Sequence, residues 1–325
     1  MTVQRPRDLK IGEKQFGLPI YFPSISSVKT SISPLDCVLV LSALHAEQFL
    51  VSAFDVHYAD AEVQKNLKDK ITEAMNKGVT VLMDSGNYES FWKEKSKSWL
   101  QENYHAMLAE INCTFAFGFD EQSPPDDFSS HVRLICERHK QDQAVNAQTP
   151  IVPIVHGEAE ALPSLCSKVV DITGVAMIAV SERCLGKGVF ARAHCISEIR
   201  KAMNATNRYV ALHLLGTGNP ISIAIYTLAG ADSYDGLEWC RTVVDHETAT
   251  LFHFTHADFF KRQTEYGDMD IDFQPRTLAH NLAFYRTWMN RLSKSVHDER
   301  GVEFCKINFP DSIFSICADV LRWKP

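Results

Sequence analysis

The chain has 325 residues, of which 45% are hydrophobic and 22% charged, with a formal net charge of −7. These proportions suit a globular enzyme built as one large α/β domain, or as a barrel with a short appendage, and exclude a disordered chain. The charge gives no global support for a polyanionic partner, although a local basic patch can dominate binding.

The longest apolar runs, Cys37 to Leu44 and Val175 to Val180, are strand-sized. A membrane helix needs roughly 20 such residues, so no membrane partner is expected. Met1 to Lys14 is polar and basic, without the apolar stretch of a secretion signal. The nine cysteines contain no Cys-x-x-Cys pair. Reduced thiols in a cytoplasmic protein are the expectation.

Short apolar runs alternate with amphipathic segments along the chain. A strand is predicted over Val38 to Leu41. Val63, Leu67, Ile71 and Met75 then recur every four residues and mark a helix that Gly78 closes. Val79 to Met83 reads as the next strand. Trp99, Leu100, Tyr104, Met107, Leu108 and Ile111 form the next apolar helix face. Further strands are predicted over Thr114–Phe119, Ile151–Val155, Val175–Val180 and Val210–Leu215, with helices at His131–Lys140, Leu162–Val170 and Cys195–Met203. Asn219-Pro220 reads as the N-cap and first residue of a helix reaching about Leu228. Thr277–Leu292 is a final helix. Alternation of this kind, with strands this apolar, implies a parallel sheet covered by helices. At least six units favour an α/β (β/α)8 TIM barrel, expected over residues 1–260, with a C-terminal helical extension over 261–325 packed on it.

Three acidic residues are read as following strands directly, Asp84, Asp120 and Asp235, with His156-Gly157 after a fourth strand and Gly216-Thr217-Gly218 after a fifth. Strand ends of a barrel converge on one face, so these residues are expected to build one site. Each carboxylate could also be an ordinary turn or capping residue. Their joint occurrence favours the site.

The motifs around them resemble those of tRNA-guanine transglycosylases. Asp84-Ser85-Gly86-Asn87-Tyr88 is similar to the family's Asp-Ser-Gly-Gly-Phe/Tyr, and Phe119-Asp120-Glu121 with Pro124-Pro125 to its Asp-Glu-Cys-x-Pro. Ile154-Val155-His156-Gly157 resembles Ile-Val-Gln-Gly, and His213 to Pro220 resembles Leu-Met-Gly-Val-Gly-x-Pro. Gly230 to Asp235 resembles Gly-Ile-Asp-Met-Phe-Asp, and Arg241 falls where the family's Pro-Thr-Arg ends. His280 to Tyr285 resembles His-Asn-Ile-x-Phe-Tyr. The matches run in the family's order over roughly Val79 to Leu292.

The resemblance implies a (β/α)8 barrel that exchanges guanine in a polynucleotide for a 7-deazaguanine base. Asp235 would be the nucleophile at C1′ and Asp84 the proton shuttle, a division of labour shared with retaining glycosidases. Asp120 would accept from the N1 and N2 donors of the base, Tyr88 would stack on it, and His156 and Gly157 would bind its O6 edge. Val180 and Gly216 would complete the base pocket, with Asp232 the next candidate nucleophile. Tyr234 reads as a core aromatic.

The chain departs from the family in lacking the Cys-x-Cys-x-x-Cys module that binds a structural zinc. His253, His256 and His280 could replace it, but packing histidines are the preferred reading, so no cofactor or metal is expected. The glycine-rich family stretch appears here as Met177 to Glu182. The trimmed zinc region and the close spacing of Asp84 and Asp235 resemble the branch that inserts 7-cyano-7-deazaguanine into DNA beside helper proteins. DNA is therefore the expected polymer and tRNA the alternative. Arg241, Arg276 and Arg286 are candidate phosphate contacts, with Lys261, Arg262, Arg291 and Lys294 nearby in sequence. A non-catalytic binding subunit is the second class weighed, but it should have lost one of the two acids.

Overall fold

The computed structural model describes residues 4–93 and 98–323. A hairpin of β1 (Asp8–Ile11) and β2 (Lys14–Gly17) leads into the barrel strands β3 (Ile20–Ile25), β4 (Gln48–Ser52) and β5 (Thr80–Asp84). These are followed by β6 (Phe115–Phe117), β7 (Ile151–Val152), β8 (Ile154–Val155), β9 (Met177–Ser181), β10 (Ala211–Leu215) and β11 (Ser233–Gly236). A second hairpin, β12 (Thr242–Val244) with β13 (Leu251–His253), comes after the barrel.

The barrel strands run parallel in the order β7-β6-β5-β4-β3-β11-β10-β9-β8. Its two ends meet within one segment, because only Pro153 separates β7 from β8. Proline has no N–H to give to a ladder, yet its carbonyl still accepts from Ala179 at 3.0 Å, and the Val152 carbonyl accepts from Gly118 at 2.9 Å. Residues 151–155 therefore act as one strand bonded on both sides, and the ring closes as an eight-stranded barrel. The expected fold class is thus observed.

Strand residues alternate between two apolar clusters, as the two-residue period of a β-strand requires. Phe22, Leu50, Leu82, Phe115, Phe117, Ile154 and Ala179 fill the barrel. Leu9, Ile11, Phe16 and Leu18 join the same cluster from the N-terminal hairpin and close the end where the strands begin. Tyr21, Phe49, Val51, Val81, Met83, Ile178, Val180, Leu212 and Tyr234 point outward against the helices.

The helical readings mostly hold. Ala61–Asn76 is capped by Asp60 accepting from the Val63 amide, and Gly78 follows its end at φ 84°. Asn219 caps Pro220–Ala229 through the amides of Ile221 and Ser222. Val38 to Leu41 is a correction, since it lies inside the helix Pro34–Ala43. Four apolar residues cannot distinguish a strand from a buried helix turn, and here Ser33 accepts from Asp36 N with Pro34 in the first turn. The first barrel strands, β3 and β4, carry Pro23, Ser24, Gln48 and Ser52 within them, which hides their pattern.

The helix Phe273–His297 packs against β3 and Pro220–Ala229. Tyr285 stacks on Tyr21 with ring centroids 4.5 Å apart, and Ser293 and His297 both donate to the Leu18 carbonyl at 2.7 Å. The barrel wall therefore continues past residue 260. Gly301–Asn308 and Asp311–Val320 follow as two further helices.

Asp232, just before β11, is fully buried. It accepts from Arg5 at 2.7 Å, Arg200 at 2.5 Å, the Leu212 amide at 2.8 Å and the Tyr209 hydroxyl. It ties the N-terminal arm to the barrel floor and lies at the opposite end from Asp235, so it is no substitute nucleophile. Asp232→Ala would leave two guanidinium groups buried without their anion and is expected to cost about 3–5 kcal/mol. Chemical denaturation measures this, and a loss below about 1 kcal/mol would show that the arm is not anchored there.

Candidate active site

Strand period and strand end together select the residues facing the mouth of the barrel. Leu82 points inward, so Asp84 two residues later does too. By the same count, Phe22 leads to Ser24, Ile154 to His156, Ala179 to Ser181 and Ser233 to Asp235. A polar ring therefore sits above the apolar filling. Its cavity of about 320 Å³ is lined by Asp84, Tyr88, Asp120, His156, Gly216, Asp235 and Arg241, among others.

Asp235 is 8% exposed. Ser24 Oγ donates to its Oδ2 at 2.7 Å, and the Gly216 amide donates to Oδ1 at 3.0 Å. His213 Nε2 also reaches Oδ1 at 3.1 Å, while Nδ1 meets Ser233 Oγ at 2.7 Å. With the serine hydroxyl donating to Nδ1, Nε2–H is left for Asp235. Three donors thus fix this carboxylate as an acceptor.

Asp84 is treated differently. Burial, then the proximity of Asp120 and Asp235, push its carboxyl up to about 7 against the pull of the Gly86 amide, 3.0 Å away. Gly86 adopts φ 88°, and a Cβ there would collide with Phe54, which explains the glycine in the Asp-Ser-Gly motif. Behind Asp84, Glu89 accepts from Ser26 at 2.6 Å and Ser52 at 2.9 Å. Burial and the neighbouring Asp55 and Asp84 push its carboxyl up to about 8.

Asp120 is pushed up by burial, but its partners outweigh this and hold it below its ordinary range. His156 Nε2 lies 2.6 Å from Oδ2, and Asn87 and Ser85 donate to Oδ1 at 2.7 and 3.0 Å. The Gln122 amide also donates to Oδ2. A carboxylate offers about four lone-pair sites, so all are engaged, and a ligand donor must displace one partner. Gln122 is the displaceable one, being the more exposed. His156 is lowered by burial but raised more by Asp120 and Cys184, and reaches about 9.

The remaining predicted residues divide. Tyr88 lies at the cavity mouth, 40% exposed, with its ring 6.4 Å from that of Trp92. Val180 is a correction: the strand period turns its side chain outward, and Ser181 faces the cavity instead. Gly157 lines a larger neighbouring groove rather than the cavity. Arg276 pairs with Asp258 at 3.1 Å. Arg286 donates to the Leu44 and His45 carbonyls before β4, at the far end of the barrel. Tyr234 is buried with its hydroxyl on Thr227.

Sequence reasoning missed Ser24, His213, Glu238, Arg183 and Arg192. His213 could have been found as a lone polar residue at an inward position of an apolar strand. Glu238 is pushed up to about 7 by burial and by Asp235 and Glu182. Its Oε2 has no hydrogen-bond partner among the described residues. A Cβ on Gly218 or Gly236 would collide with this carboxyl, so both glycines make room for it.

No group of three or more metal-ligating side chains occurs among the described residues. His280 instead donates to the Val244 carbonyl at 2.7 Å and packs at a tilt against the His246 ring, with centroids 4.2 Å apart. Also among the described residues, no helix is long and apolar enough to cross a membrane. No known protein-family model and no curated protein matches the chain.

The Asp120–His156 pair has a pH signature. The folded value of His156 lies above its ordinary 6.5, so the stability it contributes is full below pH 6.5 and is lost as pH rises through about 9. Asp120→Asn should remove that component. Denaturation at several pH values measures it, and a wild-type minus variant difference that stays flat across the window contradicts the pairing.

Proposed function

We propose that the cavity catalyses base exchange in a polynucleotide by way of a glycosyl ester on Asp235. The observation that carries this reading is the pair of acids facing one small cavity. Asp235 is fixed as an acceptor by three donors, whereas Asp84 retains a proton to about pH 7. Nucleophilic displacement with proton transfer to a leaving base needs that asymmetry.

In the forward half, an Asp235 oxygen attacks C1′ as the bond from C1′ to guanine N9 breaks. Asp84 delivers its proton to the departing base. In the second half, Asp84 takes the N9 proton of an incoming 7-deazaguanine, and N9 attacks C1′ to release Asp235. Atoms and charge balance over the cycle, and Asp84 returns to its protonated state. The cavity, about 320 Å³, lies near the small end of ligand pockets at roughly 300–1,000 Å³, suiting one base with its sugar. A base must leave its stack to enter, and Tyr88 at the mouth is placed to cover it. Asp120 would read N1 and N2 once Gln122 swings away.

DNA is the favoured polymer because the chain lacks the cysteine module with which its tRNA-acting look-alikes bind zinc. A 7-cyano-7-deazaguanine is the favoured incoming base, and a helper protein fits the same reading. Of the three predicted phosphate contacts, Arg241 lines the cavity, with Arg183 and Arg192 beside it. One observation favours the alternative, tRNA. Glu238 Oε2, which has no hydrogen-bond partner among the described residues, is suited to accept from a sugar hydroxyl, and within a polymer chain the free hydroxyl near C1′ is the 2′-OH of ribose.

Incorporation of radiolabelled guanine into duplex DNA and into tRNA tests the reading. Exchange into DNA is expected. Asp84→Asn should reduce the rate by about 10²–10⁴-fold, and Asp235→Asn by at least about 10³-fold, with loss of the covalent adduct. Exchange into tRNA alone, weakened by Glu238→Gln, would select the ribose reading. Incorporation into neither polymer would overturn the proposal.

A further inference from the structure

A second chemical constellation lies on the far side of His156. The Cys184 sulfur is 3.8 Å from His156 Nδ1, and His156 Nε2 is 2.6 Å from Asp120 Oδ2. The Gly157 amide also bonds the sulfur. Nucleophile, base and orienting carboxylate thus stand in series, the order by which cysteine nucleophiles are recognised. The base exchange uses no thiol. Cys184 lines a groove of about 1800 Å³ that His156 and Asp120 separate from the smaller cavity.

Among the nine cysteines, only Cys136 and Cys184 are not buried. They differ in their surroundings. Burial and nearby Glu137 raise the Cys136 thiol, whereas at Cys184 the opposing effect of burial is outweighed by His156, which lowers it. A thiolate beside an imidazolium reacts with soft electrophiles, and a buried isolated thiol does not.

The groove also limits the substrate. Its walls carry six carboxylates, including Glu121, Glu158, Glu160 and Glu198, against three Lys and Arg side chains. A polyanion, or an acyl carrier bearing phosphates, is repelled there. Phe91, Trp99 and Leu100 supply an apolar stretch of the same wall.

We propose that Cys184, His156 and Asp120 form a second reactive centre, at which the thiolate accepts the acyl group of an uncharged or cationic ester. The sulfur attacks the carbonyl carbon and a C–S bond forms. The bond to the alkoxy group breaks, and the leaving oxygen takes the imidazolium proton from His156. Water then attacks the thioester, giving its proton to His156, and the carboxylic acid and the thiolate–imidazolium pair are regenerated. The net reaction is ester plus water to acid plus alcohol.

The test uses p-nitrophenyl acetate with the full chain, and needs neither nucleic acid nor a 7-deazaguanine, so its outcome is independent of the base-exchange reading. A burst of one nitrophenolate per protein is expected, with the acetyl group located on Cys184 by peptide mass spectrometry. Cys184→Ser should abolish the burst and Cys136→Ser should leave it intact. His156→Gln should slow acylation at least about a hundredfold while the thiol remains. In the wild-type protein, alkylation of Cys184 by iodoacetamide should rise with a midpoint below the ordinary thiol value of 9.0. Acetyl groups only on other residues, no burst, or a Cys184 alkylation midpoint at or above 9.0 would each overturn the proposal.

Discussion

Asp84, Asp120 and Asp235 converge on a cavity of about 320 Å³, where desolvation and mutual repulsion oppose three equivalent ionised carboxylates. The molecule resolves this by giving each acid different company. Asp120 receives a cationic imidazole and three neutral donors, Asp235 receives Ser24, His213 and the Gly216 amide, and Asp84 receives only the backbone amides of Gly86 and Ser85. The acid with the fewest donors keeps its proton. The division of labour proposed for these acids rests on this unequal distribution of hydrogen bonds.

The fold supplies those partners through two regularities. Closure of the strand ring, carried past Pro153 by carbonyl bonds on both sides, brings the ends of distant strands together. The two-residue strand period then decides which side chains enter. Gly218 and Gly236 leave room for the Glu238 carboxyl, and Gly216, at φ 76°, turns its amide to Asp235. The hairpin at the opposite end fills the barrel floor, and Arg5 with Arg200 neutralises Asp232 there. The two ends of one strand region thus hold aspartates of unrelated purpose.

Much of this was legible in the sequence, for physical reasons. Long amphipathic helices with cap residues, such as Ala61–Asn76 and Pro220–Ala229, carry their own boundaries. Strands with apolar residues on both faces, such as β5 and β10, stand out as continuous runs. β11 did not, because its inward positions are Ser233 and Asp235, and a strand that serves the site sacrifices its apolar pattern. Pairwise placement was also hidden. The motif places Val180 in the pocket although its strand parity turns it outward, and Arg286, expected at the phosphates, reaches the Leu44 and His45 carbonyls at the far end. The contact between Cys184 and His156 joins two strand ends separated in sequence by a whole helix, so no local pattern announces it.

The central claim is that Asp84 holds a proton at neutral pH beside acceptor-locked Asp235. Carboxyl-carbon NMR titration of Asp84 in the free protein tests it most directly. The account predicts a midpoint of about 7 and a fall toward the ordinary value when Asp120 is replaced by Asn, since Asp120 is the largest charge acting on it. A midpoint near 3.8, the ordinary aspartate value, would contradict the assignment of Asp84 as the proton donor.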